Sequence, residues 1–106
     1  MKLLSRAEEI ILLSVLILEE NAYGISIREL IHENTGIRWS LAQIYDPLNK
    51  LTQKGYLVKY KGKSTPERGG RHKYLYKITE QGKDALIEIR KVYENIWDRV
   101  PKKALT

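Results

Sequence analysis

Between Lys54 and Lys77 the chain carries eight Lys/Arg and a single acid, Glu67, in a pattern that reads as a two-stranded hairpin. That segment has a formal charge of +7, whereas the whole protein has +6. The first 53 residues are net −2 and the last 53 are net +8, so the basic excess is local. Clustered cations release the counterions condensed on a polyanion, and a local patch therefore points to nucleic acid more than to solubility.

The hairpin arms are legible from alternation. Tyr56 to Lys61 forms the first arm. In the second, Lys73 to Thr79, Tyr74, Tyr76 and Ile78 share one side of the pleat and Lys73, Leu75 and Lys77 the other. Gly62 to His72, with three Gly and one Pro, reads as the tip.

Three helices are expected before this hairpin. Ser5 to Glu20 opens with Ser5 and Glu8 at capping-box spacing. Its apolar residues, among them Leu12 and Leu16, run nearly all round the helix, which predicts burial on more than one side. Asn21 to Gly24 reads as a turn in which Gly24 can take a positive φ. Ser26 to Asn34 is the second helix, with Gly36 suited to its C-terminal cap. Ser40 and Gln43 form another capping box and open the third, whose face is Leu41, Ile44, Leu48 and Leu51. Pro47 lies inside it and removes one backbone donor, so a kink or break is expected there. Thr79 starts a fourth helix, where Leu86, Ile89, Tyr93, Ile96 and Val100 follow heptad spacing up to Pro101.

At 106 residues, this is one domain with a helical extension, and a core so small gains from burial in an oligomer. The expected fold is mainly α with a small β-hairpin: a winged helix-turn-helix over 1–78, a dimerisation helix over 79–101 and a short tail over 102–106. The third helix would enter a major groove and the hairpin would be the wing.

Several classes are disfavoured. The chain has no Cys, which excludes disulfides, thiolate chemistry and zinc fingers. His32 and His72 belong to different elements and lack further ligands at chelating spacing, so no metal or cofactor is expected. Ser14, Ser26, Ser40 and Ser64 have no His and acid at recognisable spacing, and the reading is non-enzymatic. The apolar run Ile10 to Leu18 is too short to span a bilayer, its flanks are acidic, and no signal peptide follows from it.

Order and spacing of several motifs resemble the PadR-type transcriptional regulators. They are Glu9 through Leu18 followed by Tyr23-Gly24, then Leu41-x-x-Ile44-Tyr45-x-x-Leu48-x-x-Leu51 closing on Gly55. Thr65-Pro-Glu-Arg-Gly-Gly-Arg71 and Tyr76-x-Ile-Thr79-x-x-Gly82 complete a match running from about Arg6 to Leu86. The resemblance implies a cytoplasmic, prokaryotic, mostly dimeric repressor that binds an inverted-repeat operator in double-stranded DNA. It also implies a C-terminal helix that packs against the partner's first helix, and in many members a small planar effector. One departure is the order Tyr45-Asp46-Pro47, where the family often has Pro directly after the Tyr.

Candidate DNA contacts follow from residue chemistry. On the wing, Arg68, Gly69, Gly70, Arg71, His72 and Lys73, with Lys61 and Lys63, would meet phosphates or the minor groove. Gln43 and Asn49 can pair with adenine, although Gln43 can instead complete the cap of Ser40. Lys50, Lys54 and Arg38 suit phosphate, Tyr45 either phosphate or packing, and Trp39 the core. The expected dimer interface is Leu12, Leu16, Leu86, Ile89, Tyr93, Ile96 and Val100; Tyr93 and Trp97 are the candidate effector slab or, more simply, dimer packing. Two rival readings are a winged-helix module that binds a protein and an architectural binder that tracks DNA backbone without sequence preference.

Overall fold

The computed structural model describes residues 2–64 and 72–106. In chain order the elements are α1 (Arg6–Leu18), a 3-10 turn (Glu19–Asn21), α2 (Gly24–Thr35), α3 (Leu41–Gln53), β1 (Leu57–Ser64), β2 (His72–Ile78), α4 (Glu80–Trp97) and a final 3-10 turn (Lys102–Leu105). Four helices and one antiparallel hairpin make the winged-helix arrangement expected from the sequence.

Capping explains the helix starts. The Ser5 hydroxyl accepts from the Glu8 N–H at 3.1 Å, and the Glu8 carboxylate accepts from the Ser5 N–H at 2.8 Å. Ser40 and Gln43 repeat the motif at 3.2 and 2.7 Å. Thr79 needs no acidic partner, because its hydroxyl accepts from the Gly82 N–H at 3.1 Å and donates to the Gly55 carbonyl at 2.7 Å. Gly36 (φ 74°) ends α2, and Gly55 (φ 82°) turns the chain from α3 into β1.

Five expectations change. α2 starts two residues early, at Gly24. Gly24 does not have positive φ; instead a β-carbon there would overlap the Tyr45 ring and hydroxyl. Helix α3 continues through Pro47, losing one i→i−4 bond without ending. α4 stops at Trp97 rather than running to Pro101, so Val100 lies in the turn beyond it. Finally, β1 reaches Ser64, and a register irregularity falls between Lys61 and Ser64.

The core forms where these elements meet. Ile11, Leu12 and Val15 of α1 pack with Ile27 and Ile31 of α2, Ile44, Leu48 and Leu51 of α3, Leu57, Tyr76 and Ile78 of the hairpin, and Leu86 and Ile89 of α4. The Tyr76 N–H donates to the Ala22 carbonyl at 2.9 Å, tying β2 to the segment before α2. At 1% exposure, Tyr76 is the largest fully buried side chain, and burial, with Tyr45 nearby, pushes its hydroxyl pKa up. Gly82 lets α4 lie against the Tyr56 carbonyl and the Ile78 side chain, which a β-carbon would strike.

Glu8 joins two helices. One of its oxygens caps α1, and the other accepts from the Lys54 ammonium, the C-cap residue of α3, at 2.6 Å. Burial alone would raise the Glu8 pKa, but the Lys54 ammonium and the Ser5 hydrogen bonds outweigh it and hold the carboxyl below its ordinary value. A depressed folded-state pKa gives stability that is present above the unfolded value of about 4.3 and is lost as pH falls through the folded value. Acid unfolding should therefore weaken Glu8→Gln less than the parent between about pH 5 and 3, as read by denaturant midpoints across pH. Equal slopes would remove Glu8 from the acid response.

The Gly24–Tyr45 contact makes a second prediction. Gly24→Ala should destabilise the parent by about 1–3 kcal/mol through overpacking. In a Tyr45→Ala background the same change should cost nothing, a coupling that a double-mutant cycle measures directly.

Candidate nucleic-acid interface

The helix-turn-helix is built so that one face of α3 is bare. Ile44, Leu48 and Leu51 are fully buried, and Ala42, Gln43, Asp46, Asn49, Lys50 and Gln53 are exposed on the rest of the helix. Gly36 and Ser40 bound a three-residue connector in which Arg38 is exposed and Trp39 packs partly on the core. The bare face combines amide, carboxylate and ammonium groups, which can read base edges and phosphates at once.

Not every expected contact is placed alike. Asn49 and Lys50 are exposed on α3. Gln43 is exposed too, but its carboxamide oxygen accepts from the Ser40 N–H, so the cap fixes its direction and leaves its amino group as the donor to offer. Ser40 is the reciprocal member of that cap and is exposed. Tyr45 is 39% exposed and lies against Gly24 at the start of α2, which is a packing role. Lys54 is paired with Glu8 and is directed into the fold, not toward a phosphate.

Leu41 departs from its expected place. It is 46% exposed rather than part of the α3 core face, standing at the first helical position directly after the Ser40 cap. With Ile37, 62% exposed, it puts apolar surface beside the polar face, suited to a thymine methyl group. Spacing assigned Leu41 to the core, and the signal that it lies elsewhere was its position directly after the N-cap.

On the wing, Lys61 and Lys63 of β1 are exposed. The Lys73 ammonium lies 4.1 Å from the centroid of the Tyr23 ring, and that of Lys59 lies 4.6 Å from the centroid of Tyr74. These cation–π contacts hold extended side chains in place without neutralising their charge. His72 is the first residue of β2, paired with Ser64. Arg68, Gly69, Gly70 and Arg71 lie outside the described residues.

The expected dimer residues divide. Leu12, Leu86 and Ile89 belong to the core of this chain, at 0%, 8% and 2% exposure, so they are not available to a partner. Tyr93 is half-buried with the Arg6 guanidinium over its ring. Leu16, Ile96 and Trp97 are exposed, as are Leu13 and Ile17 on the all-round apolar α1. The heptad positions thus switch from intrachain packing to solvent about halfway along α4. Among the described residues no group of His, Asp or Glu is arranged to hold a metal ion, and no helix is long and apolar enough to cross a membrane.

Comparison with known proteins agrees with this geometry. The chain is similar over 87% of its length to a transcriptional regulator from Clostridium thermocellum, covering 84% of that chain at 26% identity and a TM-score of 0.69. It is similar over 93% of its length to a PadR family transcription regulator from Clostridium difficile, covering 98% of that chain at 28% identity and a TM-score of 0.67. A transcriptional regulator from Thermoplasma acidophilum shares the fold at 20% identity, with 90% of this chain and 91% of that one covered and a TM-score of 0.65. No curated protein matches the chain in sequence. Residues 12–88, which contain the bare face of α3 and both strands of the wing, match the model of the transcriptional regulator PadR-like family, and the chain belongs to that family.

Proposed function

We propose that the protein is a homodimeric, sequence-specific DNA-binding repressor acting in a prokaryotic cytoplasm. The observation that carries this reading is the pairing of a bare, polar α3 face, with Gln43, Asn49 and Lys50, with a basic wing on which Lys61 and Lys63 are exposed. In this reading α3 reads base edges in the major groove, and Lys50, Arg38 and the wing cations hold the phosphates. Arg68 and Arg71 act at the wing tip. The organisation is a DNA-binding unit over 1–78 and a dimerisation helix over 79–101.

Exposed apolar surface supports the dimer. Leu13, Leu16 and Ile17 on α1 and Ile96 and Trp97 on α4 are large side chains left to solvent, and such patches mark interaction sites. Two copies would pair the outer side of α1 with the second half of the partner's α4. Each α3 would then enter a successive major groove, about 10 bp apart or a multiple of that, on an inverted repeat. Trp97, 61% exposed, would line a pocket between the copies that stacks a small flat effector, with Tyr93 at its edge.

Binding of Arg71→Ala to operator and random duplex should fall alike, and the slope of log affinity against log salt should drop by about one. Altered base preference at one position would instead make Arg71 a reader of sequence. Affinity for the selected operator should exceed that for random DNA by about 10³ or more at fixed salt; a ratio near one would leave an architectural binder. Ile17→Asp with Ile96→Asp should give a folded monomer by light scattering, because two buried charges on the seam would lack partners. A dimer that survives both changes lies on another surface.

A further inference from the structure

A groove of about 1330 Å³ runs between the end of α1 and the outer face of the hairpin. Its floor is apolar: Val15 and Leu16 from α1, and Val58, Tyr60 and Leu75 from the strands. Val58 is 50% exposed and Tyr60 36%, on the sheet face opposite the buried Leu57 and Tyr76. A β-carbon at Gly62 would press on the Leu75 side chain at 2.8 Å, so a residue without a side chain keeps Leu75 in the floor. Lys61, Lys63, Lys77 and Lys83 edge the groove, with Glu19 and Glu20 at its α1 end. Four lysines against two acids line it, and three of the four lysines stand on the hairpin strands.

An apolar trough with cations concentrated along the hairpin side suits one kind of occupant: a molecule with an extended hydrocarbon body and one carboxylate. We propose that this groove binds amphipathic carboxylates of the fatty-acid class and that binding antagonises DNA. The hydrocarbon lies on Val58, Tyr60 and Leu75 and gains from leaving water. The acid group faces the hairpin lysines, away from Glu19 and Glu20. The antagonism rests on the proposed DNA reading, because Lys61 and Lys63 are then shared between the ligand and the phosphates. Sharing makes the effect reciprocal: DNA must weaken the ligand by the factor by which the ligand weakens DNA.

The test uses 11-(dansylamino)undecanoic acid and its methyl ester, which share the hydrocarbon body and differ in charge. Dansyl fluorescence titrated with the full-length protein reads binding directly. The acid should bind about fivefold or more tightly than the ester, the gain expected of two exposed ion pairs. Val58→Asp should abolish binding of the acid, Lys77→Gln should weaken it several-fold, and Ile87→Ala, an exposed apolar position of α4 away from the groove, should leave it unchanged, with circular dichroism confirming that each variant is folded. Equal affinity for acid and ester, or undiminished binding by Val58→Asp, would overturn the site. Random duplex DNA at low salt should then displace the bound acid. If DNA binds, as seen by anisotropy of a labelled duplex, but leaves the acid in place, the antagonism is wrong. If the labelled duplex does not bind at all, the DNA reading and the antagonism fail together, and the fluorescence data still decide the carboxylate site.

Discussion

Helix α1 is packed against α2, α3, β2 and α4 at once, and it has only thirteen residues with which to meet them. Ile11, Leu12 and Val15 are wholly committed inward. A helix this apolar has more greasy surface than one small core can cover, so Leu13, Leu16 and Ile17 remain outside. The same helix carries Glu8 at its start, which reaches across to Lys54 at the C-terminal end of α3. Core, helix-turn-helix geometry and outward apolar face therefore all trace to one element. A change in the tilt of α1 would be transmitted to α3 through Glu8–Lys54 and through the shared core.

Local rules were enough for most of this. The Ser5–Glu8 and Ser40–Gln43 spacings identify two helix starts, and both caps form. Gly36 and Gly55 end the two helices of the helix-turn-helix because each needs a left-handed backbone, a property of the residue type itself. Alternation places Tyr76 and Ile78 on the inner face of the hairpin, where both are buried.

What escaped the sequence was long-range. The need for glycine at 24 comes from the Tyr45 ring twenty-one residues away, and no local pattern carries it. Heptad spacing put Leu86, Ile89 and Ile96 on one seam, but periodicity records only a shared helix face. Whether that face meets its own chain or another depends on how far the core extends, and here the core stops near Tyr93. Lys54 looked like a free cation because its acid partner lies forty-six residues earlier. Likewise, Pro47 sits in an unbroken helix, since Leu48 and Leu51 are anchored in the core just beyond it. Tertiary packing there outweighs one missing hydrogen bond.

The second half of α4 has a consequence for the amount of protein in a cell. Beyond Tyr93 the helix has no core beneath it, and a terminal turn without tertiary packing opens readily in water. In the proposed dimer its order is supplied by a second copy, so the fraction of molecules with a finished helix follows mass action. A regulator built this way measures its own abundance. Newly made chains at low copy number would have frayed ends and little hold on a paired site, and occupancy would rise steeply, not in proportion, as synthesis continues.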